Sequence, residues 1–153
     1  MNTIRRVSPA EAKKLIDEEG YIYVDVRSEP EYASGHPAGA KNLPFQNVGP
    51  GGMQANQDFL PVVQALFPKD AKLILGCRSG QRSLRAAEAL LGAGYTDVID
   101  QRAGFDGRRD MFGKLIEPGW SYAGLPVAQA TPGGSYAELR REAGPQGAQL
   151  PSA

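Results

Sequence analysis

The 153-residue sequence has one cysteine, Cys77, one histidine, His36, and one tryptophan, Trp120. A lone cysteine cannot form a disulfide within the chain, and one cysteine with one histidine cannot provide the ligands of a usual zinc site. We therefore expect no disulfide framework, no metal and no other cofactor. Because free thiols persist in reducing surroundings, the expected compartment is cytoplasmic.

Excess charge and long apolar runs are also absent. Lysine plus arginine and aspartate plus glutamate both number 17, so the formal net charge is zero. A neutral chain lacks the bulk positive charge that attracts nucleic acids or anionic membrane surfaces. No apolar run has the length of a membrane span, and none at the N-terminus resembles a signal peptide. We expect neither a nucleic-acid nor a membrane partner.

The sequence does contain short apolar runs that alternate with helical patterns. Residues 21–26 and 73–77 are continuous apolar runs, which are typical of buried parallel strands. Shorter strands are predicted at 4–7, 40–43 and 96–99, and helical spacing is found at 9–20, 58–67 and 82–91. This alternation predicts an α/β fold with a central, mostly parallel five-stranded sheet and helices on both faces.

Three further segments have weaker patterns. Residues 45–56 are rich in glycine, asparagine and glutamine, and we expect a surface loop. Residues 104–112 are predicted to form one more helix, with Phe105 and Phe112 facing the core. Residues 128–153 form a Gly/Pro-rich C-terminal extension outside the main domain, residues 1–127. Within the extension a capping box predicts a short helix near 135–142, docked through Tyr136 and Leu139, with disorder after Gly144.

Cys77 lies where a predicted strand ends and a polar loop leads into a helix. A cysteine after an apolar strand is commonly a buried small hydrophobe. The loop that follows nevertheless makes a poor core segment, because it contains two arginines among small and polar residues. A strand–loop–helix turn directs backbone N–H groups and the positive end of the helix dipole at one point, which favours an anion or a thiolate there. The candidate anion-binding residues are Arg78, Ser79, Gly80, Gln81, Arg82 and Ser83, with Cys77 as the nucleophile.

Asp25 and Arg27 lie at the carboxyl end of another predicted strand. Ligands of parallel α/β sheets bind outside the carboxyl ends of the strands. We expect Asp25 and Arg27 to support the Cys77 loop as an ion pair rather than to take part in chemistry.

Four segments, in order along the chain, resemble the rhodanese-like sulfurtransferases. They are residues 24–27, residues 31–32 together with 35–44, the loop that begins at Cys77, and residues 103–107. Residues 119–120 and 124–127 are similar to the closing segment of single-domain members. The sequence Pro37-Ala38 departs from the family, which usually has an aliphatic residue followed by proline in this turn.

The resemblance implies a thiosulfate sulfurtransferase. A Cys77 persulfide would carry a sulfane sulfur from thiosulfate or a persulfide donor to cyanide, a thiol or a protein. It also implies that Arg78 or Arg82 binds the small anionic donor, and that Ser83 begins the helix and contacts the sulfur. The chain has no second cysteine to resolve the persulfide, so the acceptor would be external.

Two alternatives remain open within this resemblance. Relatives of the fold include cysteine phosphatases and arsenate reductases, in which five residues separate the cysteine from the arginine. Here four residues separate Cys77 from Arg82, which favours a sulfur over a tetrahedral phosphate. The other alternative is a persulfide carrier or interaction module that works with a protein partner.

Overall fold

A computed structural model describes residues 3–147 of the chain. Its centre is a five-stranded sheet formed by β1 (Arg5–Val7), β2 (Ile22–Asp25), β4 (Lys41–Asn42), β7 (Leu73–Gly76) and β8 (Val98–Gln101). The strand order is β1-β8-β7-β2-β4, and every pairing is parallel. The predicted α/β fold is therefore confirmed, and the sheet is wholly parallel.

Helices cover both faces of this sheet. One face carries α3 (Phe59–Leu66), α4 (Gln81–Gly92) and α5 (Tyr136–Ala143), and the other carries α1 (Pro9–Glu19) and α2 (Glu29–Ser34). Side chains alternate along the central strand β7: Leu73 and Leu75 belong to the first core cluster and Ile74 to the second. This alternation is the two-residue period of a strand that is buried on both sides. No helix of residues 3–147 is both long and apolar enough to cross a bilayer.

The helix predicted at 104–112 is wrong. The segment forms a turn and then a hairpin of β9 (Gly107–Arg109) and β10 (Leu115–Pro118). Gly104 and Gly107 have φ angles of +68° and +111°, which a right-handed helix cannot contain. Phe105 is partly buried, whereas the Phe112 side chain, expected in the core, is exposed.

The loop expected at 45–56 is also more regular than predicted. It contains an antiparallel hairpin of β5 (Gln46–Gly49) and β6 (Gly52–Ala55). β6 is exposed and most of β5 is only partly buried, so the sequence has little of the apolar alternation that reveals a strand. A second short pairing joins β3 (His36–Pro37) to β11 (Val127–Ala128), and a 3₁₀ turn lies at Trp120–Tyr122.

The C-terminal extension packs against the sheet through α5. Tyr136 and Leu139 are buried in the same core cluster as residues of α3. The Tyr136 hydroxyl accepts a hydrogen bond from Asn56, and the carbonyl of Gly134 accepts one from the backbone of Asn42. A 3₁₀ turn follows at Gly144–Gly147, where disorder was expected. The rest of that expectation falls on residues 148–153, which lie outside the described residues.

Candidate active site

Cys77 follows β7 at the carboxyl edge of the sheet, and its side chain is almost completely buried. Two groups contact its sulfur. The backbone N–H of Gly80 donates to Sγ at 3.1 Å, and the hydroxyl of Ser83 lies 3.4 Å from Sγ, with the thiol as donor. The sulfur therefore lies at the N-terminal end of α4, between a backbone donor and a hydroxyl that can accept or donate.

The loop takes this shape because Gly80 has no side chain. Its φ angle is +98°, and a Cβ atom there would lie 2.2 Å from the carbonyl oxygen of Arg102. A neighbouring segment holds the same loop in place. The backbone N–H of Phe105 donates to the carbonyl of Cys77 at 2.7 Å, and that of Asp106 donates to the carbonyl of Arg78 at 3.0 Å. The loop is thus a rigid part of the fold rather than a free connection.

A cavity of about 360 Å³ opens next to Cys77. Three arginines line it, and they differ in whether their charge is already paired. Arg78 forms an ion pair with Asp106 at 2.7 Å, and Arg82 binds both carboxylate oxygens of Glu31 at 2.7 and 3.0 Å. Among the described residues, Arg85 has neither an ion pair nor a side-chain hydrogen bond. Its guanidinium is therefore free to bind an anion in the cavity.

Glu31 is the carboxylate that occupies Arg82. Burial of Glu31 raises its pKa, but the hydrogen bonds from Arg82 and Ser28 outweigh this effect and lower the pKa to about 2. The pair is therefore fully charged at neutral pH. A second anion must compete with Glu31 for the Arg82 guanidinium. Arg82 therefore binds a further anion more weakly than its position beside the cavity indicates.

Asp25 and Arg27 form the expected ion pair, which is buried, with Nη2 of Arg27 2.7 Å from Oδ2 of Asp25. The same guanidinium donates to the carbonyl of Gly35 and lies 4.4 Å from the centre of the Phe105 ring. Arg27 is connected to the Cys77 loop through Phe105, whose backbone N–H binds the Cys77 carbonyl. Among described residues, neither Asp25 nor Arg27 donates to or accepts from Sγ.

His36 is part of the framework and not of the cavity. Its Nδ1 lies 2.8 Å from the carbonyl of Tyr32, and its Nε2 lies 2.8 Å from the hydroxyl of Thr131. Both ring nitrogens are thus used, and the ring stacks on Tyr32. Thr131 belongs to the C-terminal extension, so this histidine fastens the extension to the turn after α2.

The structure groups most of the residues that the sequence singles out. Gly80 and Ser83 contact the sulfur, and Arg78, Ser79, Gln81 and Arg82 line the cavity. Sequence reasoning missed Glu31 and Arg85. Arg85 carried a usable signal, because it lies three residues after Arg82 and four after Gln81, on the same side of a predicted helix.

The family model for the rhodanese-like domain matches residues 8–109, a span that includes β2, the Cys77 loop and β8. This chain belongs to the rhodanese-like domain family. The match ends before α5, so the C-terminal extension is not part of it.

Three similar proteins illustrate the relationship. Thiosulfate sulfurtransferase 16, chloroplastic, of Arabidopsis thaliana is 39% identical over 108 residues, which are 71% of this chain and 80% of that protein. Protein HIGH ARSENIC CONTENT 1, mitochondrial, of the same plant is 37% identical over 86 residues, 56% of this chain and about half (51%) of that protein. The crystal structure of Rv0390 from M. tuberculosis superposes with a TM-score of 0.69 at 30% identity, covering 84% of this chain and all of that one.

Proposed function

We propose that this rhodanese-like domain is a sulfurtransferase that carries a sulfane sulfur on Cys77. The observation that supports the proposal most directly is the pair of contacts on Sγ, from the Gly80 amide and the Ser83 hydroxyl. A thiolate or a persulfide placed there accepts a hydrogen bond from the fixed Gly80 amide, at a position where the Cys77 side chain is almost completely buried.

The reaction has two balanced steps. In the first, the Cys77 thiolate attacks the outer sulfur of thiosulfate, a new S–S bond forms, and the old S–S bond breaks with its electron pair leaving on sulfite. In the second, a nucleophilic acceptor attacks the terminal sulfur and the Cys77 thiolate leaves. Since Cys77 is the only cysteine of the chain, the acceptor is an external thiol, cyanide or a protein. A reducing compartment such as the cytoplasm suits a catalyst that must keep one thiol free.

Arg85 is the group that we assign to the anionic donor. Arg78 and Arg82 already bind carboxylates, whereas the free guanidinium of Arg85 lines the same cavity as Cys77. Guanidinium groups bind the oxygens of anions such as a sulfonate with charge-assisted hydrogen bonds. The small anionic donor would thus lie with its charged end toward Arg85 and its outer sulfur toward Sγ.

Intact mass measurement after incubation with thiosulfate tests the proposal. We expect one added sulfur on the wild-type protein, removed by cyanide or a reducing thiol with recovery of the starting mass. Cys77→Ser is the control, because a serine hydroxyl forms no persulfide, and it should gain nothing. A wild-type protein that stays at its starting mass while its thiol is freely alkylated would overturn the sulfurtransferase proposal.

A second candidate, arsenate or phosphate chemistry, is raised by the name of the arsenic-related relative. An oxyanion enzyme of this kind needs an arginine that points at the bound anion together with several loop amides. Here Arg82 is held by Glu31, and within residues 3–147 the Gly80 amide is the one backbone donor on Sγ. Arsenate reduction or aryl-phosphate hydrolysis faster than sulfur transfer would favour this candidate instead.

A further inference from the structure

A buried carboxylate on the strand beside β7 has no part in the transfer steps. Asp100, on β8, is completely buried. Its Oδ2 accepts from Nε of Arg6 at 2.7 Å, but its Oδ1 has no hydrogen-bond partner at standard distance among the described residues. A buried carboxylate oxygen without a donor is costly, so it calls for a reason.

Arg6 connects Asp100 to the Gly80 peptide. Arg6 and Asp100 are directly opposite each other in the β1–β8 pairing. The Arg6 guanidinium binds Asp100 through Nε and donates through Nη2 to the carbonyl of Gly80 at 3.0 Å. Since Gly80 is also the residue whose N–H donates to Sγ, this connection through Arg6 fixes the orientation of a residue that contacts the sulfur.

Asp100 also interacts with the Ser83 hydroxyl. Burial raises the pKa of Asp100, and the nearby Ser83 hydroxyl, like Arg6, acts to lower it. The same hydroxyl lies 3.4 Å from Sγ. A hydroxyl has one proton, so it can point toward the Asp100 carboxylate or toward the sulfur, but not toward both.

We propose that Asp100 is a positioning residue for Cys77, acting through Arg6 on the Gly80 peptide and through Ser83 on the sulfur itself. Both groups that contact Sγ are thus connected to one buried carboxylate. While Asp100 is ionised, the Ser83 proton turns toward the carboxylate and its lone pair faces the thiol, which favours the S–H form. When Asp100 is neutral, the hydroxyl is released to donate to the sulfur anion.

The test is the pH dependence of Cys77 alkylation by iodoacetamide in Asp100→Asn. Asparagine keeps the shape of the side chain and removes its charge. We expect the midpoint of the alkylation rate to move to lower pH by about one unit, the size typical of removing one nearby like charge. A substitution with only a structural role would slow alkylation at all pH values or leave the midpoint where it is, and either result would overturn the proposal.

Two controls isolate the part of the shift that Ser83 transmits. Asp106→Asn also removes a carboxylate next to the loop, but that carboxylate pairs with exposed Arg78, so we expect no shift of the midpoint. In a Ser83→Ala background, Asp100→Asn should shift the midpoint by less than half of its effect in the wild type. An undiminished shift there would show that the charge acts directly and not through the hydroxyl.

Other titratable groups around the sulfur stay unchanged in these variants. Arg82 and Tyr23 interact electrostatically with the thiol, and Asp25, Arg27 and Glu31 interact in turn with one or both of those residues. The wild-type protein gives an independent measurement that needs no folded variant. The ¹³C signal of the Asp100 carboxyl should show a step at the pH of Cys77 ionisation, absent in Cys77→Ser. An Asp100 signal that is identical in both proteins would contradict the coupling.

These readouts use a thiol and a carboxyl, and not sulfur transfer. Failure of Asp100→Asn to shift the alkylation midpoint would therefore overturn the positioning role and leave the proposed sulfurtransferase untouched. Failure to form a persulfide would do the reverse.

Discussion

The arginines beside Cys77 differ in what already binds their charge. Two of them are neutralised by Asp106 and Glu31, while Arg85 has no partner among the described residues. An ion pair removes most of the attraction that a guanidinium has for a second anion, because the first carboxylate occupies its donors. At the scale of single residues, the cation nearest the cysteine in sequence is therefore not the one with a free guanidinium.

Arg85→Gln should raise the KM for thiosulfate about five-fold with little change in kcat. A five-fold change corresponds to ~1 kcal/mol, the upper end for an exposed ion pair, and the contact is equally present before and in the transition state. Steady-state sulfur transfer to cyanide measures both constants. Arg141→Gln, on the exposed side of α5 outside the cavity, is the matched control and should behave as wild type. An unchanged KM in Arg85→Gln would remove Arg85 from the donor site.

The Glu31–Arg82 pair makes stability depend on acid pH. The pKa of Glu31 is lowered to about 2 in the folded protein, and an unfolded glutamate titrates near 4.5. A lowered pKa stabilises the fold fully above the unfolded value, and the stabilisation is lost as the pH falls from about 4.5 toward 2. In Glu31→Gln we expect a free energy of unfolding below that of wild type by a constant amount at pH 6–8.

Urea denaturation at a series of pH values gives this difference. The difference in unfolding free energy should shrink steadily below about pH 4.5. There the Glu31 carboxyl of the unfolded wild type takes up a proton, which the variant cannot bind in either state. Glu142→Gln, on the exposed side of α5, is the control and should show no such dependence. A difference between wild type and Glu31→Gln that persists unchanged at pH 2.5 would show that the ion pair does not act in this way.

At the scale of elements, the geometry of the loop between β7 and α4 depends on one backbone conformation. Gly80 has a φ angle of +98° and no room for a Cβ beside the carbonyl of Arg102. We expect Gly80→Ala to lose persulfide formation at least ten-fold, because relief of the clash moves the amide that donates to Sγ. Mass measurement after a short exposure to thiosulfate detects the loss.

Gly92→Ala is the matched control for that experiment. Gly92 lies in the last turn of α4 with nothing within 4 Å of an added Cβ, so alanine should be tolerated or slightly stabilising. Thermal denaturation should show both variants folded. Wild-type persulfide formation in Gly80→Ala would mean that the loop does not need the observed conformation.

The elements that sequence reasoning predicted well are those with strong local signals. β7, the loop and α4 combine a buried apolar run, a glycine and helical spacing, and each signal lies within a few residues. The hairpins β5–β6 and β9–β10 were missed because their strands are short and at most partly buried, so their sequences lack a clear apolar period. The helix predicted at 104–112 is wrong because Gly104 and Gly107 have positive φ angles, which the spacing of two phenylalanines does not reveal.

At the scale of the whole molecule, the contacts that complete the site and its framework join residues far apart in the chain. Glu31 and Arg82 are 51 positions apart, Arg6 and Asp100 are 94, and His36 and Thr131 are 95. Local patterns identify the nucleophile and its loop, but they hold no information on which carboxylate pairs with which arginine. Those pairings follow from the strand order, in which β1 lies beside β8 and β7 beside β2.

The C-terminal helix α5 stabilises the molecule without reaching the cavity. Leu139 is buried against the cluster that contains α3, and among the cavity-lining residues none belongs to α5. We expect Leu139→Ala to lower the free energy of unfolding by about 2–5 kcal/mol, the usual range for a buried leucine. Arg141→Ala, two residues along on the exposed side, should change it by less than about 0.5 kcal/mol. Urea denaturation gives both values.

Persulfide formation at a temperature where both variants are folded should equal that of wild type, because β7, the loop and α4 do not depend on α5 for their own contacts with Sγ. Loss of the persulfide in folded Leu139→Ala would show instead that α5 supports the geometry of the active site.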